Sequence, residues 1–153
     1  MRDDRIVVGV DGSDGGRRAL RWAVHEAAAR GQTVQAVTAW RWDRADRTSG
    51  ASVDPGEERA RAERILHDEL AAVSAGDVVI AAEAVEGRAA DVLCAASQNA
   101  HLLVLGSHGH GRTMRTVLGS VSEECVRRGP CPVVVIPVPS PAPTHDAPLA
   151  VRR

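Results

Sequence analysis

Apolar residues in this chain fall into two alternating periods. Arg5 to Val10 (RIVVGV) is a short continuous apolar run ending at Asp11-Gly12, the pattern of a strand buried on both faces. Leu20, Ala23, Val24 and Ala27 then recur at helical spacing behind a Ser13-Asp14 cap, and Gly31 closes that segment. Thr33 to Ala39 (TVQAVTA) predicts a second strand. Trp40 to Asp54 reads as a long surface loop, and Pro55 suits a helix start. Ala62, Ile65, Leu66, Leu70 and Val73 form the next helical face, which Gly76 stops, before a third strand over Val78 to Ala84. Gly87 opens a helix carrying Ala89, Val92, Leu93 and Ala96. His101 to Leu105 is the fourth strand, and Met114, Val117, Leu118, Val121 and Cys125 make the last helical face. Gly129-Pro130 breaks the chain before a fifth strand, Cys131 to Ile136.

Strand and helix in repeated alternation predict an α/β fold, a parallel sheet covered by helices on both faces. The continuous Val, Ile and Leu runs support burial of the sheet on both sides. At 153 residues the chain is expected to form one domain with a real core. From Pro137 onward there are five prolines in seventeen residues, the composition of a disordered tail. Residues 1–137 are thus read as the domain and 138–153 as its extension. No internal repeat is visible.

Composition removes several classes of function. Formal net charge is −1, which speaks against a nucleic-acid partner. All 19 basic residues other than histidine are arginine, so no mechanism can use a lysine. Phe and Tyr are absent, leaving Trp22, Trp40 and Trp42 as the only side chains able to stack on a base. The charged start and short apolar run are not a secretory signal, and no segment reaches the roughly 20 apolar residues of a membrane span. Cys94, Cys125 and Cys131 are odd in number and irregularly spaced, which reads as reduced, buried thiols in a cytoplasmic protein.

The chemistry concentrates at Leu105 to Ser122, LGSHGHGRTMRTVLGSVS. A strand ends there in a glycine-rich loop that leads into a helix, the arrangement by which a backbone holds phosphate. Gly106 and Gly109 would bend the chain around phosphate oxygens. Gly119, Ser120, Val121 and Ser122 would present N–H groups and two hydroxyls. The alternative, glycines that only turn the chain, is weaker for three glycines and two serines at one junction. Asp11, at the end of the first strand, would face the same crevice if strands one and four are neighbours. It could accept hydrogen bonds from a ribose, hold a divalent metal, or simply cap a turn. His108 is a second candidate ligand, whereas His110 reads as loop polarity. Arg112 and Arg115 could reach a terminal phosphate or simply face solvent. A Walker loop is excluded by the missing lysine, and Gly-x-Gly-x-x-Gly does not follow the first strand. No nucleophile–base pair is recognisable, so catalysis is not supported beyond slow turnover of a bound nucleotide.

Three blocks carry a resemblance: VVGVDGSDGGRRALRWA, GRAADVLCAAS and LLVLGSHGHGRTMRTVLGSVSEECVRRGPCPVVVIP. They are similar to the universal stress protein family. The last block holds that family's nucleotide pattern, Gly-x2-Gly-x9-Gly-Ser/Thr, at Gly106, Gly109, Gly119 and Ser120. The resemblance implies a Rossmann-like five-stranded parallel sheet of order 3-2-1-4-5 and ATP between the loops after strands one and four. By position it implies Asp11 near ribose and a Mg2+ or Mn2+ ion, and Val37 meeting adenine through its backbone. Gly106, His108 and Gly109 would meet ribose and phosphates, with Gly119, Ser120, Val121 and Ser122 on the phosphates. It further implies a homodimer through Val133 to Ile136. The function expected is a nucleotide-dependent stress-response regulator with little or no turnover. The alternatives are a slow ATPase or adenylate-processing enzyme, and an interaction protein that binds no nucleotide.

Overall fold

The computed structural model describes residues 1–41, 54–110 and 118–139. Nine elements follow one another: β1 (Arg5–Gly9), α1 (Asp14–Arg30), β2 (Thr33–Trp40), α2 (Pro55–Ala72), β3 (Ile80–Glu86), α3 (Ala89–Ala96), β4 (Leu102–Gly106), α4 (Ser120–Arg128) and β5 (Val133–Ile136). The strands form one parallel sheet of order β3-β2-β1-β4-β5. The α/β class and the 3-2-1-4-5 order are therefore as the sequence implied.

Side-chain alternation along the central strands divides the core in two. Ile6, Val8 and Val104 join Leu20, Ala23, Val24 and Leu66 on the α1–α2 face. Val7, Leu103 and Leu105 join Ala90, Leu93 and Cys125 on the α3–α4 face. This partition follows from right-handed crossovers. The chain moves outward one way from β1 through β2 to β3, then returns to β4 and continues the other way. Strand order thus reverses between β1 and β4, which pair at Ile6↔Leu102, Val7↔Leu103 and Val8↔Val104.

Local signals account for the helix ends. Ser13 caps α1, its hydroxyl accepting from Gly16 N–H at 3.1 Å. Gly31 closes the helix in the left-handed region at φ 67°, where a Cβ would cost about 1–2 kcal/mol. Asp54 caps α2 with Pro55 in its first turn.

Several boundaries differ from the sequence expectation. β3 starts two residues late, at Ile80, because the turn at Ala75–Val78 consumes Val78 and leaves Val79 exposed. From there it follows β2 in register from Val34↔Ile80 to Trp40↔Glu86. As an edge strand β3 is also largely exposed, and β5 only half-buried. Burial on both faces holds for β1, β4 and the middle of β2, where Ala36 and Val37 are buried on opposite sides. β5 begins at Val133 rather than Cys131, and α2 ends at Ala72 rather than at Gly76. α4 begins at Ser120, with Gly119 as its cap. Leu118 precedes it and Val121 is exposed, so neither packs with Cys125 as the periodicity suggested. Met114, Val117, Trp42, most of the Trp40–Asp54 loop and the tail from residue 140 lie outside the described residues. Among the described residues no helix is long and apolar enough to cross a membrane.

All three cysteines are buried and free. Burial first, and the neighbouring Cys94 second, push the Cys125 thiol up to about 12. The thiolate is the reactive form, so Cys125 should resist iodoacetamide in the native protein at pH 8 and react only after denaturation. Mass spectrometry of the alkylated peptides checks this. The linkage has a definite sign. Any stability owed to the neutral thiol is intact below pH 9, the ordinary value, and is lost as pH climbs from there toward 12.

Candidate functional site

At the carboxyl ends of β1 and β4 lies a cavity of about 590 Å³. The end of β1 contributes Gly9, Val10, Asp11 and Ser13, and β2 contributes Val37 and Ala39. Ala89 and Leu93 come from α3. Leu105, Gly106, His108, Gly109 and His110 come from the end of β4 and its loop, and residues 118–123 from the start of α4. Among the described residues, those singled out in the sequence as candidate ligands all line this cavity: Asp11, Val37, Gly106, His108, Gly109, Gly119, Ser120, Val121 and Ser122. Arg112 and Arg115 fall outside the described residues.

Close backbone approach explains the first glycines. A Cβ on Gly106 would sit 2.6 Å from the Gly15 carbonyl carbon, and one on Gly15 would collide with the His108 carbonyl oxygen. The loop after β4 therefore crosses directly over the first turn of α1. Gly106 is needed by that crossing, a packing role the sequence reading had assigned to phosphate approach. Gly109 differs, since its Cβ would lie 2.5 Å from Asp11 Oδ2. Gly15 was not singled out in the sequence, where it is one of many glycines. Its role appears only once α1 and β4 are side by side.

The Asp11 carboxylate is oriented by its own loop. Its Oδ1 accepts the Ser13 N–H at 2.9 Å and the Ser13 hydroxyl, and that hydroxyl in turn accepts from Gly16 N–H. Across the crevice His110 Nε2 donates to the Asp11 carbonyl at 2.7 Å. A carbonyl can only accept, so the proton must sit on Nε2. His110 thus ties the two loops together, more than the loop polarity expected of it.

Ser107, buried and also absent from the sequence candidates, joins the remaining parts. Its carbonyl accepts from Gly119 N–H at 2.6 Å and from the Ser122 hydroxyl at 2.9 Å. Its N–H donates to Ile136 O, and its hydroxyl accepts from Val138 N–H at 3.2 Å. His108 Nδ1 lies 3.1 Å from the same hydroxyl. The Ser122 hydroxyl also donates to Gly119 O. It is therefore turned into the fold, and of the two hydroxyls expected at an anion only that of Ser120 stands exposed at the cavity.

Gly119 has no side chain to cap α4. The first-turn N–H groups of that helix are left for a ligand, with the positive end of the helix dipole behind them. Among the described residues no arginine lines the cavity. Its polar character there comes from backbone amides, Asp11, Glu123, two histidines and serine hydroxyls, opposite an apolar wall of Val37, Ala39, Leu93 and Leu105. No group of three or more His, Cys, Asp or Glu among the described residues could hold a metal alone. A divalent ion would need ligand oxygens besides Asp11, the mode in which Mg2+ binds through one or two carboxylates and substrate phosphates.

Val37 lines the cavity, and its carbonyl accepts from Val10 N–H at 2.9 Å. Ala39 lies beyond Gly9↔Val37, the last β1–β2 pair, and also lines the cavity.

The crossing of α1 and the β4 loop should be intolerant of a methyl group at either partner. Gly106→Ala and Gly15→Ala are each expected to cost about 1–3 kcal/mol, as overpacking does where backbone must shift. Gly119→Ala, with its nearest obstacle at 3.2 Å, should cost less. Urea unfolding monitored by circular dichroism measures the three.

Known proteins share this arrangement. The family model described as the universal stress protein family matches residues 4–137. Universal stress protein Rv2624c of Mycobacterium tuberculosis is 33% identical over 150 residues, covering 97% of this chain and 53% of that protein. The chain thus spans about half the length of the curated relatives it matches. A solved universal stress protein in complex with cAMP is 28% identical, with a TM-score of 0.68, over 86% of this chain and 95% of that one. An Arabidopsis thaliana family member with AMP bound shares the fold at 18% identity, with a TM-score of 0.59, over 91% and 96% of the two chains. A glycine loop crossing α1, a cavity at the β1–β4 reversal and a family match over residues 4–137 agree, and the chain belongs to the universal stress protein family.

Proposed function

We propose that this protein binds ATP in the β1–β4 cavity and acts as a nucleotide-dependent regulator with little or no turnover. One observation carries the reading: a single cavity joins an apolar slot between β2 and α3 to an uncapped helix N-terminus at α4. An adenine nucleotide has that division, a flat apolar base at one end and phosphates at the other. The cavity volume lies within the roughly 300–1,000 Å³ of small-molecule sites. A relative at 28% identity that carries cAMP supports the adenine-nucleotide class.

In this reading the base enters between Val37 and Leu93, and its edge meets the backbone at Ala39. The resemblance pointed to the backbone of Val37, whose carbonyl already accepts from Val10 N–H. Asp11 accepts from the ribose hydroxyls. Gly109 and His108 pass beside the sugar and phosphates, while the amides of Ser120, Val121 and Ser122 and the Ser120 hydroxyl take the phosphate oxygens. Gly106 and Gly119 shape that loop. A Mg2+ or Mn2+ ion, shared between Asp11 and the phosphates, would neutralise phosphate charge. The cavity hydroxyl bonded to a carboxylate, that of Ser13 on Asp11, also caps α1, so it is engaged in holding the loop, which favours retention of the nucleotide over its hydrolysis.

β5 pairs with β4 on one side only. Its half-buried Val133–Ile136 edge is the place for a second copy of the chain, since a bare apolar edge strand invites pairing.

Analysis of small molecules released on denaturation, followed by calorimetric titration of ATP with Mg2+, tests the proposal. Gly109→Val, which pushes a side chain onto Asp11 Oδ2, should weaken ATP at least about tenfold. Its far-ultraviolet circular dichroism should remain native. No ATP affinity at millimolar concentration in the parent protein would overturn the reading. Phosphate release well above background, lost in Ser120→Ala, would replace the regulator with an ATPase.

A further inference from the structure

The ion pair that joins α2 to the start of α1 has an unusual attachment. Glu69 is buried, at 8% exposure, and both its carboxylate oxygens accept from Arg17 Nε, at 2.9 and 3.1 Å. This leaves the Arg17 Nη2 group to donate to the Gly12 carbonyl at 3.1 Å. Four residues before Glu69, on the same face of α2, Ile65 covers the same turn, its Cγ2 3.4 Å from where a Gly12 Cβ would stand.

The Gly12 carbonyl and the Ser13 N–H belong to one peptide group, and a trans peptide points them in opposite directions. The Ser13 N–H is the donor that holds Asp11 Oδ1. Gly12 sits at φ 78°, and glycine can rotate out of that region at little steric cost. A flip of the 12–13 peptide would turn the Ser13 N–H away from Asp11. Arg17 holds the outer end of this peptide, Glu69 fixes Arg17, and the inner end aims the carboxylate at the cavity.

We infer that Arg17 and Glu69 are positioning residues, a clamp from α2 that locks the Gly12–Ser13 peptide and thereby sets how the site discriminates the ribose of its ligand. The inference rests on the nucleotide reading above for its ligand, and on the peptide geometry alone for its mechanism. Arg17 does not line the cavity. Its effect should fall on the sugar, which Asp11 meets, and spare the phosphates, which α4 meets.

The test compares ATP, 2′,3′-dideoxy-ATP and inorganic tripolyphosphate by calorimetry. The parent protein should favour ATP over the dideoxy analogue by about tenfold or more, the worth of hydrogen bonds to a charged acceptor. Arg17→Ala should reduce that ratio to about threefold or less while tripolyphosphate affinity stays within about twofold. Arg17→Ala also orphans a buried carboxylate, which costs stability. The double variant Arg17→Ala/Glu69→Leu removes that penalty, so it should recover thermal stability and still lack ribose discrimination. Undiminished discrimination in Arg17→Ala overturns the inference, as does its full recovery in the double variant. A second readout needs no nucleotide. In ligand-free protein the Ser13 amide resonance should shift in Arg17→Ala and stay in place in Arg21→Ala. An unmoved Ser13 resonance overturns the clamp even if ATP binds, and a moved one upholds it even if Asp11→Ala shows that the ribose reading is wrong.

Discussion

Everything in the site depends on one contact between two stretches of backbone, Gly15 in the first turn of α1 and Gly106 at the end of β4. β1 and β4 are neighbours in the sheet, so the helix leaving β1 must cross the loop leaving β4. Two chains carrying Cβ atoms cannot cross at that distance. Glycine on both sides lets them touch, and the touch brings Asp11, His108, Gly109 and His110 around one crevice. This is the place where strand order reverses, where open parallel sheets leave a gap beyond their carboxyl edge.

The crevice is stiffened by polar links that run away from it. Ser107 binds the β4 loop to Gly119 and Ser122 of the α4 start and to Val138 beyond β5. Asp11 is held by Ser13, which also caps α1. Each of these side chains satisfies a backbone donor or acceptor that would otherwise be lost at a helix end or loop. Fold and site therefore share these hydrogen bonds.

The chain's lack of lysine shapes the electrostatics. A lysine would place a mobile positive charge at an anion site. Here, among the described residues, the positive potential is supplied by fixed amide dipoles at the α4 start, while Asp11 and Glu123 contribute negative charge to the same cavity. Fixed dipoles need no reorganisation when an anion arrives.

Much of this was legible in the sequence because it is local. IVVGV and LLVLG are apolar without interruption, as strands covered on both faces read. Ser13, Gly31, Asp54 and Pro55 act on backbone within a few residues of themselves. The glycine pattern marked the loop, and the alternation of elements set the class. What the tertiary structure decided concerns pairs of residues far apart in the chain. The β3 boundary followed β2 and a preceding turn rather than its own apolar run. α4 started at Ser120 because Gly119 took the cap, a position that hydrophobic spacing reads straight through. Val37 and Ala39 look alike in sequence, and only the end of β1 separates a carbonyl held in the sheet from a residue beyond it. Gly15 with Gly106, His110 with Asp11, and Arg17 with Glu69 across 52 positions have no sequence signature, because close approach and hydrogen bonding depend on distance in space. Periodicity determines which face of each element is buried; it does not say which other element will cover it.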